Sequence, residues 1–221
     1  MKTQSHLKRK LTEIAGSLTG FIFANRIYLL IGCAALIVGI TAGCFTFTFS
    51  DANSSESLRA YMDNFFSAYP LLSAAESEIF KLSLLETAKT ALILWLSGLH
   101  PILMPLGYLR LLTKGLGLGF TLTFLISHYG GRGLAFGIIS ILPQNIIAIP
   151  AMLLYAAFCA SFSVNVRKLK QSGSYYKNLR TLYARNLYAL VLFCAALFIT
   201  VLIDSYIAPT LIKPFCSFFA I

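Results

Sequence analysis

Glu86 and Lys89 are the most costly ionisable residues in this chain of 221 residues, because they interrupt the apolar run 82–104. Three positions apart, they share one helical face and can pair. A charge at the centre of a bilayer costs about 2.5–3.5 kcal/mol, and pairing offsets part of that cost. Such a pair could relay a proton or ion, or grip another subunit. The plainer reading puts both near the outer interface, three to four turns into their helix. Asp204 falls near the end of another apolar run, where hydration would satisfy it.

A second polar interruption lies in 134–161, a stretch that carries no charge but holds Pro143, Gln144, Asn145 and Pro150. Pro143 lacks an N–H, so a helix through it strips the carbonyl of Ile139 of its usual partner. In lipid that carbonyl needs another donor, and Gln144 and Asn145 are the nearest side chains. A helix broken here could build a transporter's substrate site. A plain kink repacked against neighbours is the commoner outcome.

Other candidates read as packing. Gly115, Gly117 and Gly119 lack the strand–turn–helix setting of a phosphate loop. Gly115 and Gly119 instead form a small-xxx-small face, as do Gly133 with Gly137 and Gly39 with Gly43. Thr41-Ala42-Gly43-Cys44 only faintly resembles a lipoprotein box, because a threonine stands where an aliphatic residue is preferred. His6, His100 and His128 are scattered, and the five cysteines show no CxxC or Cys/His spacing, so no metal site is indicated. No nucleophile elbow, HExxH or nucleotide loop is present. The expectation is a protein that is not an enzyme and takes no cofactor.

The elements that must position these residues are transmembrane. Hydrophobic residues make up 57% of the chain and charged residues 12%, about half the usual charged fraction of roughly 25%. The net charge of +10 would suit nucleic acid, but the cations gather beside apolar spans, which fits anionic lipid and topology instead. The expected fold is all-α: a polytopic helix bundle with spans at 27–49, 82–104, 106–127, 134–161 and 187–207. Residues 1–26 form a cytoplasmic basic amphipathic segment, 27–221 one membrane domain, and 162–186 a basic cytoplasmic loop. Placing the N-terminus inside and the C-terminus outside puts thirteen of the 18 lysines and arginines inside, counting Arg110 and Lys114 in the second connection.

The connection 50–81 is then extracytoplasmic and acidic on balance. Asn53 with Glu56, and Ser73 with Glu76, read as helix caps. Between them Leu58, Tyr61, Met62, Phe65, Phe66 and Tyr69 recur at helical spacing until Pro70. That stripe is a candidate docking element for a partner protein or the outer leaflet.

The stretch Leu142-Pro143-Gln144-Asn145-Ile146-Ile147-Ala148-Ile149-Pro150-Ala151 resembles the fourth-span motif of the stage II sporulation protein M family, roughly Leu-Pro-His-Gly-Ile-x-Glu-x-Pro-Ala. Both prolines, Leu142, Ile146 and Ala151 match, while Gln144, Asn145 and Ala148 depart at the His, Gly and Glu positions. Lys114-Gly115 and Gly119 resemble a second family feature with lysine for asparagine, and Gly98 and Pro105 also fit. The resemblance implies a non-enzymatic, multi-pass protein of the cell membrane, and in spore formers of the sporulation septum. There it would anchor peptidoglycan-degrading partners, resembling stage II sporulation proteins D and P, during engulfment. The alternative is a transmembrane transporter subunit.

Overall fold

The computed structural model describes residue 16 and residues 19–68, 75–171 and 175–212, all in helices or the tight turns between them. Helix α1 spans Arg26–Thr48 and α2 Ala52–Ala68. Helix α3 spans Ala75–Leu99, α4 Met104–Gln171 and α5 Tyr175–Leu202. A π-helical turn, Ile203–Ile207, continues α5 toward Ile212.

Local chemistry sets the breaks. Residue His100, ahead of Pro101, is held extended at φ −143° and ψ 141°, as the proline ring requires. That ends α3, and His100 Nδ1 accepts the Ile102 N–H at 3.3 Å across the short 3₁₀ turn Pro101–Leu103. Within α4, Gly130 takes φ 59° and ψ −137°, a conformation open essentially to glycine alone. The chain doubles back there. A Cβ at Gly133 would strike the Leu125 carbonyl, and one at Gly137 would lie 2.9 Å from the Leu122 side chain. The element is thus a helical hairpin with limbs 104–129 and 131–171.

Among the described residues, three helices are long and apolar enough to cross a membrane by length and composition: Arg26–Thr48, the run Pro101–Gln171, and Tyr183–Ile212. This corrects the expected set of five separate spans. The third and fourth are limbs of one run, and α3, broken by Glu86 and Lys89, is not among the three. Large apolar side chains lie bare on the outer surface, among them Ile27, Leu30, Ile37 and Phe45 of α1. Water-soluble monomers rarely expose so continuous an apolar face.

Glycine faces lock α1 to the first limb of α4. A Cβ at Gly39 would collide with the Leu112 carbonyl, and one at Gly43 with that of Leu116. From the other side, Gly115 meets the Leu36 carbonyl and Gly119 that of Ile40. Backbones this close require small residues on both helices. The Gly39/Gly43 and Gly115/Gly119 faces read from the sequence are therefore the two halves of one contact. Tyr108 and Cys44 add a hydroxyl bond to the Tyr28 carbonyl at 3.3 Å and a thiol contact to the Gly119 carbonyl at 3.7 Å.

The main core forms where α3, both limbs of α4 and α5 meet, around Leu94, Leu111, Met152, Tyr155, Cys159, Phe193 and Leu197. Tyr155 and Phe193 stack with ring centroids 4.3 Å apart. A second core of Phe124, Leu125 and Phe136 lies at the Gly130 end of the hairpin.

Candidate functional site

A polar cleft of about 300 Å³ opens among α3, both limbs of α4 and α5. Helix α3 contributes Ser83, Glu86 and Thr90, the first limb Arg110 and Lys114, the second limb Gln144, and α5 with its π-turn Thr200 and Asp204. Four ionisable side chains, Glu86, Arg110, Lys114 and Asp204, thus face one space.

The pairing inside it differs from the sequence expectation. Arg110 Nη2 lies 3.1 Å from Glu86 Oε2. The same guanidinium donates to Thr90 Oγ1 from Nη2 at 2.7 Å and from Nε at 3.1 Å. Glu86 therefore pairs across to the hairpin, not along its own helix to Lys89, which is exposed. The planar guanidinium fork reaches a carboxylate and a hydroxyl one turn apart, which an ammonium on the same helix could not do. Glu86 keeps 65% of its side chain exposed against 21% for Arg110, so the pair sits at the cleft rim with the cation inward. Opposite, the Ser83 hydroxyl donates to Asp204 Oδ2. Asp204 is thus held in a structured polar contact. The π-turn carries it; such turns recur at functional sites.

Arg110 and Lys114 are accordingly residues of the helical interior, not of a connection between spans. The second limb is helical through both Pro143 and Pro150. Asn145 Nδ2 donates to the Ile141 carbonyl at 2.7 Å, so it does not serve Ile139 as expected, while Gln144 turns into the cleft. This proline stretch is one wall of the polar site, not a half-helix of its own.

The second locus is the Gly130 end of the bundle. Leu58 and Met62 of α2 pack against the Phe124–Leu125–Phe136 core beside Phe47 and Ile212. The Tyr129 hydroxyl donates to Asp63 Oδ1 at 2.7 Å, and Arg59 Nε stands 3.8 Å from Asp63 Oδ2. Tyr129 closes the first limb, next to Gly130. Phe47 meets Phe124 and His128 edge-on at 5.8 and 5.9 Å. Two members of the proposed docking stripe, Leu58 and Met62, are thereby committed to the protein's own core. Tyr61 remains exposed. Tyr69 and the side chains of Phe65 and Phe66 lie outside the described residues, as do residues 1–15 of the basic N-terminal segment.

Arg110, Lys114, Thr90, Ser83, Thr200 and Asp204 were not picked out as site residues from the sequence. The available signal was that each is polar or charged within or beside an apolar run. Among the described residues, no three His, Cys, Asp or Glu side chains gather as a metal site.

In comparisons with known proteins, a family model described as Stage II sporulation protein M matches residues 14–209. No curated protein and no solved structure matches the chain.

Proposed function

The chain belongs to the stage II sporulation protein M family, and from that premise we propose that it is a multi-pass membrane scaffold holding peptidoglycan-degrading partners outside the cell membrane during engulfment. In this reading the apolar helices α1, α4 and α5 anchor the chain in the membrane, with the N-terminus inside and the C-terminus outside. Arg110 of the hairpin answers both Glu86 and Thr90 of the polar α3. The chain does no chemistry of its own, and its partners resemble stage II sporulation proteins D and P.

The single observation that carries this reading is the seating of α2. Leu58 and Met62 anchor its inner face, and Tyr129 clasps Asp63. Beside and behind that face, Tyr61, Glu56 and Asn64 are left exposed. An amphipathic helix bound this way is a fixed platform, and an exposed tyrosine ringed by polar groups is a typical anchor for a protein partner. The test is co-purification of a peptidoglycan hydrolase with the full chain in mild detergent, comparing the wild type with Tyr61→Asp. Retention of the hydrolase by the wild type alone supports the platform.

A second reading, a transporter subunit, is favoured by one observation: Lys114, Gln144, Thr200 and Asp204 share a cavity of about 300 Å³ between helices. Substrate-dependent flux through proteoliposomes, lost on Lys114→Met, would establish it in place of the scaffold.

A further inference from the structure

At the end of the bundle opposite Gly130, two cavities of about 430 and 460 Å³ lie between the second limb of α4 and α5. Phe21 and Phe158 line both, so the two form one groove. Its ends differ in chemistry. The far end is polar, with Asn165, Lys168 and Arg185. The near end is apolar, with Leu154, Leu192 and Phe193. Among the described residues, no acid lines either part.

The cations at the polar end are available. Lys168 and Arg185 are exposed, and among the described residues neither joins an ion pair. Both stand just past apolar stretches: Lys168 follows 134–161, and Arg185 precedes the apolar part of α5. A row of rings forms the wall, Phe21 to Phe158 at 6.3 Å and Phe158 to Phe162 at 6.2 Å. Aromatic side chains concentrate at such a membrane–water boundary. From Lys168 to Leu154 is fourteen positions, about 21 Å of helix at 1.5 Å per residue. One leaflet of a hydrocarbon core about 30 Å thick accounts for roughly 15 Å, leaving the remainder for a headgroup.

We propose that this groove binds one anionic phospholipid, its phosphate on Lys168 and Arg185 and an acyl chain beneath Phe158 against Leu192 and Phe193. Basic pockets between transmembrane helices recognise anionic headgroups in this way. The chain's own N-terminal segment is the other occupant within reach, since Phe21 lines the groove. Its Lys2, Lys8, Arg9 and Lys10 against Glu13 would meet like charge at Lys168 and Arg185. The inference rests on the helices spanning a membrane with this end at the inner leaflet, and is independent of the scaffold role.

The experiment is native mass spectrometry of the full chain titrated with phosphatidylglycerol or phosphatidylcholine of matched acyl chains. One phosphatidylglycerol should bind at least tenfold more tightly than phosphatidylcholine, as two surface cations imply. Lys168→Gln with Arg185→Gln should remove that preference, while Lys81→Gln with Lys89→Gln keeps it. Ala196→Trp, which fills the apolar part, should weaken both lipids. Equal binding of the two lipids by the wild type, or an unchanged preference in the Lys168/Arg185 variant, overturns the proposal. So does full competition by inorganic phosphate, which would mean a free-anion site. Lipid binding that appears only when residues 1–15 are deleted overturns it too, assigning the groove to the chain's own N-terminus.

Discussion

Tyr129 donates a 2.7 Å hydrogen bond to Asp63, tying the turn of the α4 hairpin to the middle of α2. The two residues are 66 positions apart, so the bond fixes α2 to the hairpin across two intervening elements. Leu58 and Met62 on the same helix bury apolar surface beside it. The hydrogen bond orients the helix, and the packing holds it down.

Tyr129→Phe should therefore loosen α2 without unfolding the bundle. A hydrogen bond to a carboxylate contributes about 1.5–3 kcal/mol when well buried, and at this half-exposed site about 1 kcal/mol is the expected loss. Amide exchange in α2 should rise about fivefold while exchange in α1 and α4 is unchanged.

Gly39→Leu or Gly115→Leu should split α1 from the hairpin, because each new side chain meets backbone and not a movable group. The expected cost is about 3 kcal/mol or more, beyond ordinary overpacking of 1–3 kcal/mol. Gly117→Leu is the matched control, since nothing lies within 4 Å of a Cβ there. Thermal unfolding in detergent should separate the first two from the third.

Those glycines show how much of the molecule the sequence discloses. Each small-xxx-small face is legible by itself, because the spacing is local. That the two faces meet is not, because pairing depends on tertiary placement. Glu86 shows the same limit. Its presence in an apolar run marks it at once, and Lys89 three positions on is the obvious partner. The actual partner, Arg110, is on another element 24 residues away, reached after the chain turns at Pro101. Counted as flanking charges, Arg110 and Lys114 looked like topology signals. Asp204 looked like an interfacial acid until the π-turn and Ser83 placed it in the cleft. The chain is helical over Ala52–Ala68, where the stripe predicts a helix, but periodicity does not tell that Leu58 and Met62 pack on the protein's own core.

Arg110→Gln should destabilise the bundle more than Glu86→Gln. The first leaves Glu86 and Thr90 without their common donor. The second leaves Arg110 its two bonds to Thr90. Removing one member of a buried pair costs about 3–5 kcal/mol, and exposure of Glu86 at the rim reduces this to roughly 2 kcal/mol for Arg110→Gln. Lys89→Gln should leave the unfolding temperature unchanged. A Lys89 effect as large as that of Arg110 would contradict the observed pairing.

The most direct measurement is quantitative recovery of a co-expressed peptidoglycan hydrolase on the full chain, for wild type, Tyr61→Asp and Lys114→Met, each checked for intact membrane insertion. A platform on α2 predicts that the wild type and Lys114→Met retain the hydrolase, while Tyr61→Asp loses at least tenfold. If Tyr61→Asp retains it as well as the wild type, or the wild type retains none, the account of α2 as the docking face is wrong.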